Sequence, residues 1–348
     1  SFAVSVGNHS AHLTDDLYKD PTLDTDAGAD NGVIGCDIRH TGEGGIILGG
    51  GDRKSLTPAN NFATNNSIVD YARWVRTYRP GIFVYGVGNR VSHNRITDAP
   101  HVGILMSGND HIVEYNEIAR VCTETADCGA IYMGRDYTER GNVIRFNLIR
   151  QCGNAGAFSS NVTAIYLDDC ASGALVFGNI VYQCGFGVLI GGGRDNTIDN
   201  NLFIDCNPAV FIDARGLGWM KSFFDGTETV LFDRLKKVHA DEPPYARRYP
   251  ELAALLSDEP AVPKGNKIEH NVFQGGKWIE LPANCDAKTF LIKDNFTEGD
   301  AQLTAPEKLD FRPAVTSPVW SVGFRPIHTE KIGLQADEYR QTVPPERN

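Results

Sequence analysis

The sequence predicts an all-β chain: a parallel β-helix, that is a solenoid, carrying a helical insertion and ending in an irregular C-terminal tail. Three features predict it. An Asn recurs in one apolar frame, as Val91-Ser92-His93-Asn94-Arg95-Ile96, Val113-Glu114-Tyr115-Asn116-Glu117-Ile118 and Ile144-Arg145-Phe146-Asn147-Leu148-Ile149, and the frame returns around Asn179, Asn201, Asn271 and Asn295. Two of its steps are 22 residues (116 − 94 and 201 − 179), and a fixed period of roughly 20 residues is the mark of a solenoid. A second, strand-like phrase alternates with the first, and Cys122, Cys152, Cys184 and Cys206 each follow a ladder Asn by five or six residues.

The ladder comes first in the argument because stacking explains it. In a parallel β-helix each repeat is one coil, and a side chain lies over its copy one strand spacing away, ~4.8 Å. Inward Asn amides can then hydrogen-bond from coil to coil. The cysteine column fits the same picture, since a free Cys behaves as a small buried hydrophobe. No CxxC metal pattern occurs. Cys128 and Cys170 fall outside the column, and a bridge between them is left open by the sequence.

The second phrase is a small residue, then alternating apolar residues, then a small or acidic residue. It runs Gly45-Ile46-Ile47-Leu48-Gly49, Gly103-Ile104-Leu105-Met106-Ser107, Ala130-Ile131-Tyr132-Met133-Gly134, Ala164-Ile165-Tyr166-Leu167-Asp168, Gly187-Val188-Leu189-Ile190-Gly191 and Ala209-Val210-Phe211-Ile212-Asp213. Alternate strand residues share a face. With Ile104, Ile131, Ile165, Val188 and Val210 inward, an outer face presents Leu105, Tyr132, Tyr166, Leu189 and Phe211 beside a column of Ser107, Gly134, Asp168, Gly191 and Asp213.

Measured from the ladder Asn to this strand, the loops are uneven. The gap is 9 from Asn179 to Val188 and from Asn201 to Val210, 10 from Asn94 to Ile104, 15 from Asn116 to Ile131 and 18 from Asn147 to Ile165. Extra loop adds closure entropy that stacking does not require, and loops on a rigid scaffold are where function usually sits. Between Asn201 and Asn271 the period breaks, with 70 residues (271 − 201) in place of one coil. Leu231–Val238 and Pro250–Leu256 carry helical patterns there, the second with Pro at a favourable helix start. The expected organisation is β-helix coils over 1–215, a helical insertion near the outer face over 216–264, read as a lid, last coils over 265–296 and an irregular cap over 297–348. An early insert from Gly49 to Ala63 is Gly-rich and carries Asp52, Arg53 and Lys54. Ser1–Val6 read as a strand already inside a coil with no visible signal peptide, so a longer natural protein is expected.

Composition narrows the function. The chain has 348 residues and a formal charge of −11, which disfavours nucleic acid, because affinity for phosphates comes from Lys and Arg. No apolar run reaches the ~20 residues of a membrane span. The outer face gathers Asp127, Asp168, Asp169 and Asp213. Two carboxylates flanking an acetal are what glycoside hydrolysis requires. Tyr132 and Tyr166 would offer flat faces to a sugar ring. Arg135, Asp136, Arg194 and Arg215 would bind substrate or hold the acids, since a guanidinium lowers a neighbouring carboxyl's pKa. Each Asp also has an ordinary reading as a turn residue. The glycines of Gly191-Gly192-Gly193-Arg194-Asp195 read as an open groove between the Asp168 and Asp213 coils rather than as a phosphate loop, since no Walker lysine follows. His93, His101, His111 and His270 are scattered over different coils, and His101, just before an outer strand, reads as a turn residue.

The segments Asp127–Asp136, Ala164–Gly173, Gly191–Asn196 and Ile212–Gly216 together resemble the right-handed parallel β-helix proteins related to glycoside hydrolase family 141. The resemblance covers about Gly32 to Phe296, and Gly323-Phe324-Arg325-Pro326-Ile327 also fits. It implies two catalytic aspartates, carried here by Asp127 and Asp168, with Asp169 the rival for the second role. It implies a fucosidase-like or xylanase-like activity without naming the sugar, and the chain departs from the family in lacking its first coils. The expectation is a glycoside hydrolase with a carbohydrate partner, no nucleic acid and no membrane span. No cofactor is expected, with Ca²⁺ on Asp oxygens as the alternative. A secreted or periplasmic location follows from such a substrate. A uronate lyase or epimerase and a non-catalytic glycan-binding solenoid are the competing classes. Asp127 and Asp168 are expected one coil apart.

Overall fold

The computed structural model describes residues 1–7, 23, 26–153 and 162–345. Within them the chain winds as a parallel β-helix whose coils contribute strands to three sheets. The first sheet has nine strands, Val4–Val6, Ile46–Leu48, Ile82–Val87, Ile104–Asn109, Cys128–Gly134, Val162–Asp168, Phe186–Gly191, Val210–Asp213 and Ile279–Glu280. The second runs from Gly32–Ile34 to Leu291–Lys293 and the third from Asp37–Arg39 to Val272–Gly276. Every strand pair in these sheets is parallel; the opening residues Val4–Val6 pair with Ile46–Leu48 as the first strand of the first sheet.

Alternation places the core as the sequence indicates. Ile104, Ile131, Ile165, Val188 and Val210 are fully buried inside the coils, together with the column Cys122, Cys152, Cys184 and Cys206. Cys128 and Cys170 are free thiols in separate clusters, so no bridge joins them.

Between the second and third sheets the chain turns in two residues. The first adopts a left-handed conformation, as at His93, Tyr115, Phe146 and Asn200, and the second is the ladder Asn. Each Nδ2 donates to the Oδ1 of the next rung at 2.9–3.0 Å, unbroken through Asn66, Asn94, Asn116, Asn147, Asn179, Asn201, Asn271 and Asn295. Each Oδ1 also accepts the backbone N–H of the preceding rung. The corner's buried polar groups are thereby paired, which the apolar interior demands. Asn66 is a rung that the apolar frame around Asn94 does not reveal. A second set of rungs lies five residues earlier, between the first and second sheets. There Asn61 accepts from Asn31, Asn89 from Asn61, His111 Nδ1 from Asn89 and Asn142 from His111.

The insertion after Asp213 forms helices Val230–Lys237, Tyr245–Arg248 and Pro250–Ala253. It packs on Tyr137 and Cys170, beyond the C-terminal ends of the first-sheet strands. Tyr137 donates to Pro260 O at 2.6 Å, Tyr245 to Asn109 at 3.0 Å and Arg234 to Arg135 O at 2.7 Å. These anchors, one buried and two partly buried, hold the insertion against the ends of the strands as a wall. The tail folds back along the third sheet. Phe311, Val319 and Phe324 cover Leu148, Ile180, Tyr182 and Leu202, and Arg340 ends at Cys36 O and Asp37 of an early coil.

Candidate functional site

The outer surface of the first sheet carries a compact polar cluster on the strands Cys128–Gly134 and Val162–Asp168. Register pairs Cys128 with Val162, Tyr132 with Tyr166 and Gly134 with Asp168. Asp127 therefore lies at the N-terminal end of this strand pair and Asp168 at its C-terminal end. The expectation that one coil spacing alone separates the two carboxylates is corrected: they approach from opposite ends. Two phenols fill the interval in crossed fashion. Tyr132 OH donates to Asp168 Oδ2 at 2.7 Å, and Tyr166 OH donates to Asp127 Oδ1 at 3.0 Å. Their rings meet edge to face with centroids 5.4 Å apart.

The tyrosines are thus not free platforms. Tyr166 is only 5 % exposed and Tyr132 is half-buried, so both serve as hydrogen-bond donors that hold the acids. Burial, then the nearby Asp168, raises both phenols above their ordinary pKa, which keeps them protonated as donors.

Arg215 organises the other end. Its guanidinium bonds Asp168 Oδ1, donates to Asp169 Oδ1 at 2.8 Å and grips Asp213 through Nε and Nη2. Asp168 follows Leu167, which pairs with Ile190, and the next residue, Gly191, pairs with Asp213. A Cβ at position 191 would lie 2.3 Å from Arg215 Cζ. The missing side chain therefore makes room for Arg215, and the open groove expected between these coils is filled by that guanidinium. Arg135 closes on Asp169 with Nε at 2.8 Å and Nη2 at 2.7 Å. Asp169 is almost fully buried between two guanidiniums, its oxygens committed to charge-assisted bonds. It holds both arginines.

Asp168 has a different setting. It is 7 % exposed, and burial followed by the charge of Asp169 pushes its carboxyl above the usual range against the pull of Arg215 and Tyr132. Asp127 is exposed, in a left-handed turn at the mouth of the cluster. The two acids thus differ in environment, Asp168 buried and Asp127 exposed.

Two residues from the original set lie elsewhere. Asp136 is fully buried and accepts from Thr138 and Arg53 under the insertion wall. Arg194 pairs with Asp258 and the carbonyls of Asp258 and Glu259 in the insertion. Neither touches the cluster; both fasten the wall. Arg215 and Asp213 do belong to it, as positioning groups.

Two other residues join it. Tyr78, 49 % exposed, stands close enough to Asp127 and Asp168 for their charges to act on its phenol. Its ring packs on His101 at 4.9 Å, and its N–H donates to His101 Nδ1 at 3.4 Å. Burial drops His101 to about 4, with Asp127 opposing, so it is a neutral ring supporting Tyr78. The sequence contained a signal for Tyr78: from rung Asn66 to Ile82 the gap is 16 residues (82 − 66), another long loop at the same position.

No group of three or more His, Cys, Asp or Glu with the geometry to hold a metal occurs among the described residues. Asp168, Asp169 and Asp213 converge on Arg215. The long loop before the Tyr166 strand includes residues 154–161, which lie outside the described residues. No helix among the described residues is long and apolar enough to cross a membrane.

A family model described as right handed beta helix region matches residues 25–203, just over half of the chain. This domain is common to pectate lyases and glycosidases. Comparison with curated proteins and with solved structures gives no match.

Proposed function

We propose, from the premise that this chain belongs to the right-handed β-helix family, that it is a glycoside hydrolase acting on a neutral oligosaccharide or polysaccharide. The observation that supports this reading is the pair Asp127 and Asp168 in unequal settings, each held by a phenol from the neighbouring strand. Asp168, buried and above the usual carboxyl range, donates its proton to the leaving glycosidic oxygen. Asp127, at the open mouth, accepts a proton from water or attacks the anomeric carbon. Arg215 and Tyr132 fix the Asp168 carboxyl so that little reorganisation accompanies proton transfer.

Charge supports a neutral sugar. The cluster holds four carboxylates, Asp127, Asp168, Asp169 and Asp213, against two guanidiniums, Arg135 and Arg215. A uronate lyase would require a cation available to the substrate carboxylate, whereas both guanidiniums are bonded to aspartates. Fucose- and xylose-containing glycans are the substrates to try first, and their extracellular or periplasmic occurrence would place the protein there.

The test is a screen of neutral and uronate-containing polysaccharides with products analysed by mass and NMR. Hydrolysis that falls by about a thousandfold in both Asp127→Asn and Asp168→Asn supports the reading, the order expected for loss of a general acid or base. Full activity in either variant, or an unsaturated product absorbing in the ultraviolet, would refute it.

A further inference from the structure

We infer that Tyr78 and Trp219 are sugar-stacking platforms at the two ends of the cluster, so that the substrate is an extended oligosaccharide lying along the solenoid axis and cut internally. This rests on the hydrolase reading and deepens it. Tyr132 and Tyr166, the aromatic residues between the acids, have their rings packed together and their hydroxyls bonded to Asp168 and Asp127. Stacking must fall to exposed rings.

Two exposed rings flank the acids. Trp219 is 70 % exposed and follows the Val210–Asp213 strand at the start of the insertion. Its ring covers the Arg215 guanidinium, Cζ to centroid 5.4 Å, the same guanidinium that bonds Asp168 and Asp213. That contact orients the indole from below while most of its surface stays in water. An aromatic ring left wet yet held in one orientation by a cation–π contact is a preorganised apolar surface. Tyr78 is backed on the far side by a ring contact instead: buried, neutral His101 packs against it with centroids 4.9 Å apart.

Tyr78 precedes the Ile82–Val87 strand, and Trp219 follows Val210–Asp213. These strands are five steps apart in the first sheet, ~24 Å along the axis at ~4.8 Å per step, and both rings lie inside that span, Tyr78 near Asp127 and Asp168 and Trp219 on the guanidinium that bonds Asp168. Asp127 and Asp168 fall between them. Platforms on both sides of the reacting bond engage rings on both sides of it, which suits an internal linkage rather than a chain end.

The experiment measures binding by calorimetry in an Asp127→Asn background, with xylo-, cello- and fuco-oligosaccharides from disaccharide to hexasaccharide. Adding Trp219→Ala or Tyr78→Ala is expected to weaken the longest ligand that binds by about tenfold, the size of one stacked ring, and to affect the disaccharide less. Trp219→Phe and Tyr78→Phe should recover most of the affinity, since the ring and not its polar atom makes the contact. Both sites are exposed, and circular dichroism should be unchanged. If both Ala variants bind the long ligand as tightly as the background, the platforms are refuted while the hydrolase reading stands. If the background binds no oligosaccharide and the unmodified protein cleaves none, the hydrolase reading fails and the platforms fail with it.

Discussion

The guanidinium of Arg215 occupies the space that a side chain on Gly191 would need, and from there it reaches Asp168 two coils away from its own strand. The consequence is specific. Gly191 is not in the left-handed region, so Gly191→Ala suits the local backbone, but its Cβ would lie 2.3 Å from Arg215 Cζ. Arg215 must move. Overpacking of this kind costs about 1–3 kcal/mol. The variant is expected to fold, with a melting temperature lowered by a few degrees, and to lose at least about tenfold in kcat as Asp168 loses its partner. Normal kcat in Gly191→Ala would show that Arg215 has no part in setting Asp168.

The pH profile follows from Asp168. As a general acid it acts protonated, so activity should fall as pH rises through its raised pKa, giving the alkaline limb of kcat/KM. Arg215 lowers that pKa by its charge. Removing the charge in Arg215→Met should therefore move the alkaline limb to higher pH while reducing the maximum rate. A limb that stays in place, or moves down, would assign it to another group.

The ladder predicts an uneven stability map. Asn147 sits mid-stack: it donates to Val113 O, Arg145 O and Asn179, and accepts from the backbone and side-chain amides of Asn116. Asn147→Ala leaves these buried groups unpaired, at about 1–3 kcal/mol for each fully orphaned one. Asn295 is the last rung among the described residues and partly exposed, where water can replace its bonds. Denaturant unfolding should thus show Asn147→Ala as strongly destabilising and Asn295→Ala as mild. Equal effects would mean that stacking adds nothing beyond local turns.

Much of this architecture was legible because stacking repeats it. The Asn frame, the cysteine column and the inward Ile and Val positions recur at each coil, so periodicity alone located them. Each miss had a physical cause. Asn66 lies in Asn65-Asn66-Ser67-Ile68, outside the apolar frame of the other rungs, so no rung of that frame marks the long loop carrying Tyr78. The inner set, Asn61, Asn89, Asn142, Asn196 and Asn266, was hidden by His111 and Ala174 standing where the repeat has Asn. Asp168, Asp169, Asp213, Arg135 and Arg215 are joined by ion pairs, and Asp127 reaches them only through Tyr166. Asp136 and Arg194 do not, because sequence shows which residues occur near a strand end and not whether an insertion 50 or more residues away will claim them. Arg194 binds Asp258 across 64 residues.

The same strand register bears on stereochemistry. Asp127 and Asp168 start from opposite ends of the Cys128–Gly134 and Val162–Asp168 pair, and each binds a different phenol. Retention calls for carboxyls ~5–5.5 Å apart, close enough for one to attack the anomeric carbon, whereas inversion calls for ~6.5–9.5 Å, with a water between base and sugar. Two packed aromatic rings between the acids, each phenol bonded to a different one, favour the wider arrangement, with Asp127 as base. The first product seen by proton NMR should therefore carry the anomeric configuration opposite to the substrate. A product of retained configuration would make Asp127 the nucleophile and require the two carboxylates to close together when the substrate binds.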